Sequence, residues 1–156
     1  MNISNIIKEL PVHPTKRYGH RNLSRVHTVV VHHSASGRNV TAANMASYHV
    51  NHHGWPGLAY HYVIAPDGNV YKCNPISMLT YHAKGGNTSG IGVCCLGNFE
   101  VHDVPDAQYQ ALDDLITGIM VAMPQVVNVI GHRQVKGAST ACPGARFTDA
   151  MLAGLS

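Results

Sequence analysis

The chain has 156 residues, of which 45% are hydrophobic, with 11 Lys and Arg against 8 Asp and Glu; that is enough for one domain with a real core and too little for two. No apolar run nears the ~18–20 residues a membrane span needs. The net charge of +3 is scattered rather than gathered in a stripe, so neither membrane insertion nor nucleic-acid binding is expected.

Residues 1–24 hold Pro11 and Pro14 and few periodic apolar positions, and read as an irregular arm with one helical turn. The opening MNISNIIKELPVHP lacks the basic start, apolar core and small-residue cleavage site of a secretory signal, so synthesis in the cytoplasm without a signal peptide is expected. From Arg25 the run RVHTVVVHH is β-branched and short, which predicts a buried strand. A loop over Gly37 to Asn39 precedes Thr41, an N-cap for a helix to about His53, ahead of Trp55-Pro56. AYHYVIAPDGNVYKC predicts a hairpin turning at Pro66-Asp67-Gly68-Asn69. Residues 74–90 are loop-rich, and IGVCCLG is another short apolar strand. Pro105 opens a helix to about Met123, with Leu112, Leu115, Ile116, Ile119, Met120 and Met123 on one face. VVNVIGH is a strand, a loop runs to Pro143, and a short helix starts at about Ala145. This order implies an α/β domain, one sheet with helices packed on it.

The 4 cysteines are Cys73, Cys94, Cys95 and Cys142. Two adjacent cysteines in an apolar strand make a poor disulfide framework, so reduced thiols are expected. There are 12 histidines, and two of them, His32 and His132, close predicted strands. Cys142 follows in a loop, before a Pro143-Gly144 turn that can aim the thiol back. Two imidazoles and a thiolate suit zinc, and three protein ligands leave a fourth tetrahedral position open, as in hydrolytic sites. Spacing alone fits equally well two partly buried, hydrogen-bonded histidines and a core cysteine. His49 and His53 share a helix face, but no glutamate follows the first as in HExxH, and histidines near a helix C-terminus are favourable without a metal. No paired carboxylates of the glycosidase kind, GxSxG elbow or phosphate loop appear.

The segments VVVHHSAS, AYHYVIAPDGNVY, YHAKGGNTSGIGVCCLGN and VIGHRQVKGASTACPG, in that order, resemble the type-2 N-acetylmuramoyl-L-alanine amidases. That superfamily includes phage lysozyme-amidases of the T7 type and peptidoglycan recognition proteins. The resemblance runs from about Arg25 to the last helix and implies a central mixed β-sheet flanked by α-helices, with residues 25–156 as the catalytic domain behind the arm. It places the zinc ligands on His32, His132 and Cys142 and the catalytic tyrosine on Tyr60. Of the His32–His33 pair only one can bind the metal, since successive strand residues face opposite sides; the resemblance selects His32. T7-type enzymes have a lysine where this chain has Thr140, an uncharged donor to the oxyanion, and Lys84 is a candidate to compensate. His82 matches a family histidine near the cleft and reads either as a substrate contact or as a loop histidine with a structural hydrogen bond. Trp55 reads as a loop anchor or, less well, a saccharide platform.

The resemblance thus implies a zinc-dependent, monomeric amidase that cuts the bond between N-acetylmuramic acid and L-alanine in bacterial peptidoglycan. Without an evident export signal or wall-binding module it fits a phage or prophage endolysin, reaching the wall after release. Two rivals stand beside it. Cytosolic muropeptide-recycling amidases usually have aspartate where Cys142 stands, and noncatalytic peptidoglycan-binding members typically lack that cysteine.

Overall fold

A computed structural model describes residues 1–155. Its strands are β1 (Ile3–Asn5), β2 (Gly19–His20), β3 (Thr28–His33), β4 (Tyr62–Ile64), β5 (Val70–Lys72), β6 (Met78–Leu79), β7 (Gly90–Cys95) and β8 (Asn128–Gly131), and its helices α1 (Ala42–Asn51), α2 (Asp106–Ala122) and α3 (Asp149–Ala153). Six strands form one mixed sheet in the order β1-β5-β4-β7-β3-β8, and β2 pairs with β6 apart from it. All neighbours in the large sheet run parallel except the β4–β5 hairpin. The expected α/β domain with a central mixed sheet is therefore present.

Two neighbouring interior strands, β3 and β7, are buried along their whole length. Parallel strands covered on both faces read as unbroken apolar runs, which is how TVVVHH and GIGVCC appear. Side chains alternate between two cores. Val29, Val31, Ile91, Val93 and Cys95 join Leu112, Leu115, Ile116 and Ile119 of α2. On the other face, Val63 and Cys94 pack with Met45 and Ala46 of α1. The thiols of Cys73, Cys94, Cys95 and Cys142 are all free.

Helix α1 starts as its capping residue dictates. The Thr41 side chain accepts the Asn44 N–H, and Asn44 returns the bond to the Thr41 N–H, closing both orphan donors of a capping box. Three expectations are corrected. The first 24 residues are no loose arm: β1 adds a parallel edge strand to β5, and β2 pairs with β6. Helix α1 ends at Asn51, with His52 as its cap. Helix α3 begins at Asp149 rather than near Ala145, because Arg146 donates its N–H to the Phe99 carbonyl and Phe147 is drawn into the core before Thr148 caps the helix.

Candidate metal centre

Ligand sites of open α/β sheets lie beyond the carboxyl ends of the strands, and His32 stands at that end of β3. Alternation along the strand separates the histidine pair. His33 follows the parity of Val29 and Val31, and its Nδ1 accepts the Phe99 N–H at 3.1 Å. His32 follows Val30 onto the opposite face, the face of α1. His132 directly follows β8, the neighbour of β3, and opens a single 3-10 turn. Cys142 arrives on the loop that follows. Its carbonyl accepts the Arg133 N–H at 2.8 Å, tying that loop to the end of β8.

One potential ligand atom each from His32, His132 and Cys142 lies within 4.8 Å of the other two. Cys142 Sγ is 3.7 Å from His32 Nδ1, and the rings of His32 and His132 are 4.7 Å apart between centroids. Among the described residues this is the group of three or more His, Cys, Asp and Glu side chains that converges so closely. The donor set fits zinc: two imidazoles and a thiol converging from three chain segments onto a cleft.

That cleft, about 310 Å³ in volume, is lined by His32, His132 and Cys142 together with Tyr60, Thr140, Trp55 and Tyr81, among others, and by no carboxylate. The Tyr60 ring lies 5.0 Å from that of His32. The Thr140 hydroxyl oxygen accepts the Cys142 N–H at 3.2 Å, which leaves its O–H free to donate into the cleft. His49 closes the α1 side, its Nδ1 accepting the Ala59 N–H. Trp55 stacks on His53 at 4.4 Å and meets Tyr81 edge-on, so it forms part of the wall. A larger cavity of about 640 Å³ lies elsewhere, between the N-terminal segment, the start of α1 and the β4–β5 turn, away from the converging ligands.

Burial sets the protonation of the cleft. It holds the imidazoles of His32 and His82 well below the ordinary histidine range, and neighbouring histidines add to the effect. His132 is lowered by the same cause. Burial raises the Tyr60 phenol well above its ordinary value, with Cys94 and Cys142 contributing. It also pushes the Cys142 thiol up to about 11, against smaller opposing pulls from the His33 backbone and Arg133. Burial thus favours neutral imidazoles, a protonated thiol and an intact phenol in the cleft at neutral pH.

The structure gathers His32, His132, Cys142, Tyr60 and Thr140 around one point. The other two predicted residues stand differently. His82 is buried beside His32 and also lines the cleft, with Nδ1 3.0 Å from His32 Nε2 and Nε2 3.1 Å from the Gly90 carbonyl, the internal hydrogen bonds that one of its two readings calls for. Lys84 is exposed and lies outside the cleft lining. Sequence reasoning passed over Arg21. It is buried and donates to the carbonyls of Ile76, Asn87, Thr88 and Gly90, and nothing local in the first 24 residues signals that role. His61, directly before β4, is fully buried, and its Nδ1 accepts the Gly92 N–H from β7.

The profile of the N-acetylmuramoyl-L-alanine amidase family matches residues 22–145. Peptidoglycan-recognition protein SC2 of Drosophila simulans is 34% identical over 125 residues, 74% of this chain and 66% of that protein. The endolysin of Klebsiella phage KP32 is 33% identical over 95 residues, 58% of this chain and 61% of that protein. The chain therefore spans just under two thirds of the length of these relatives. Among solved structures, the Ph2119 endolysin from a Thermus scotoductus bacteriophage shares the fold at a TM-score of 0.82, with 24% identity and 97% of both chains covered.

Proposed function

Starting from the fact that this chain belongs to the N-acetylmuramoyl-L-alanine amidase family, we propose that it hydrolyses the amide between N-acetylmuramic acid and L-alanine in bacterial peptidoglycan, using zinc held by His32, His132 and Cys142. The observation that carries the reading is the convergence of those three ligand atoms within 4.8 Å at the wall of an open cleft. When bound, zinc supplies Lewis acidity, which polarises an amide carbonyl and brings the pKa of water from 15.7 to roughly 7. The remaining work belongs to the chain's own side chains. The Tyr60 phenol keeps its proton at neutral pH and can donate it as a hydrogen bond to the oxygen on which negative charge develops. The Thr140 hydroxyl is oriented by the Cys142 N–H and offers a second, uncharged donor.

The likeness to a phage endolysin supports the same chemistry in a lytic role, with the intact wall as substrate and release from the cell as the route to it. A second reading, a peptidoglycan-binding module without turnover, has its own support in the likeness to a peptidoglycan-recognition protein. Mass spectrometry of purified sacculi after digestion separates the two: new L-alanine amino termini on released stem peptides support the amidase. Bound zinc with no release supports the module. Cys142→Ala should lose zinc and turnover together, and full turnover in that variant would refute the ligand assignment.

A further inference from the structure

We propose that His82 is a positioning residue for the metal centre: seated in a slot beside Gly90 and Gly92, and locked by a carbonyl that buried Arg21 also grips, it holds His32 in the tautomer whose Nδ1 is free to bind metal. The proposal rests on the zinc reading above and adds to it the wiring that decides which imidazole nitrogen faces the cation.

The chain of bonds begins at a group that can only accept. The Gly90 carbonyl receives Arg21 Nη1 at 2.6 Å and lies 3.1 Å from His82 Nε2. A carbonyl oxygen has two lone pairs and no proton, and a guanidinium has donors and no acceptor. His82 Nε2 must therefore carry the proton of that bond. A neutral imidazole with a proton on Nε2 has an unprotonated Nδ1, and His82 Nδ1 sits 3.0 Å from His32 Nε2. His32 must then donate from Nε2, which leaves its Nδ1 bare and 3.7 Å from the Cys142 sulfur. With both rings neutral, each proton fixes the next, and His32 is left as its Nε2–H tautomer.

Arg21 anchors the chain of bonds from behind. It is 9% exposed, and it donates to the backbone carbonyls of Ile76, Asn87, Thr88 and Gly90 and meets the His61 ring, with no carboxylate among these partners. Two of these carbonyls belong to the loop that carries His82 into β7, so the guanidinium fixes both the acceptor and the path of the loop. Two glycines supply the slot. A Cβ on Gly92 would lie 2.6 Å from His82 Cγ, and one on Gly90 would lie 3.1 Å from His82 Cε1. With both ring nitrogens engaged inside the protein, His82 has no donor left for substrate.

The test reads the tautomer directly. In metal-free protein labelled with 15N-histidine, long-range 1H–15N spectra near neutral pH should show His32 and His82 both protonated on Nε2. His82→Phe fills the slot without an acceptor, and His82→Asn returns an amide oxygen close to the place of Nδ1. We expect the Phe variant to bind zinc about 10–100-fold more weakly, in chelator competition, and to show a population of His32 protonated on Nδ1; the Asn variant should keep most of the affinity. A wild-type His32 protonated on Nδ1 overturns the proposal without any variant. So does a folded Phe variant with wild-type zinc affinity, or an Asn variant that falls as far as the Phe one. If wild-type protein binds no zinc, the functional reading fails while the tautomer result still stands or falls by itself.

Discussion

Single residues decide what the cleft can do, and each does so through a contact that its neighbours impose. His32 faces the cleft because of its parity on β3, whereas His33, one residue on, is spent on the Phe99 N–H. Tyr60 is held beside the His32 ring with its phenol protonated, so removing only the hydroxyl isolates its contribution. Tyr60→Phe should retain zinc and lower kcat by about 10²–10³, the usual loss for one donor to a developing oxyanion; an unchanged kcat would remove Tyr60 from the reaction. In the proposed reaction Thr140 would have two tasks, since its oxygen also accepts the Cys142 N–H. Thr140→Val should lower kcat and loosen zinc together, measured as turnover and as zinc retained after dialysis.

At the scale of elements, the centre is assembled from the end of β3, the turn after β8 and the loop after that turn, and the loop is the part that depends on glycine. Gly144 has φ of 105°, and a Cβ there would sit 2.5 Å from the Phe99 carbonyl carbon. That neighbour is backbone, which cannot step aside as a flexible side chain does. Gly144→Ala should cost about 1–3 kcal/mol in backbone strain, with crowding on top, and should displace Cys142 two residues away. A lowered Tm with reduced zinc content is the expected result, and a Tm equal to wild type would contradict the packing described. By contrast, Thr41→Ala removes one side of the α1 capping box, remote from the ligands, and should cost about 1 kcal/mol with zinc binding unchanged.

The whole molecule buries several imidazoles without charging them, and this makes its stability depend on pH. Burial lowers His49 to about 4 and His61 to about 3, from an ordinary value of 6.5. Below 6.5 the unfolded chain takes up protons that the folded chain refuses. Their contribution is complete above that value and is lost as pH falls toward 4, at about 1.4 kcal/mol per pH unit for each group. Thermal melts of metal-free protein should therefore show Tm falling steadily from neutral to about pH 5, and a flat profile would mean these histidines are not buried neutral. The segment before β3 also belongs to this scale. It supplies an edge strand and the buried Arg21, so a chain begun at Arg25 should melt well below the full one or fail to fold.

Much of the fold was legible from local pattern. Apolar β-branched runs marked the central strands, Pro66 to Asn69 marked the hairpin turn, Thr41 and Pro105 marked helix starts, and these signals act over a few residues, where propensity and capping operate. The resemblance of ordered motifs singled out His32, His132 and Cys142, and the folded chain brings their ligand atoms together. What sequence could not decide were matters of direction across long separations. His82 bonds to His32 and to the Gly90 carbonyl, Lys84 lies outside the cleft lining, and Arg21 reaches from a segment without periodicity to carbonyls 55 to 69 residues away. Such contacts are set by how strands register and loops close in three dimensions. A residue's type says which bonds it can make, and only the tertiary structure chooses the partner.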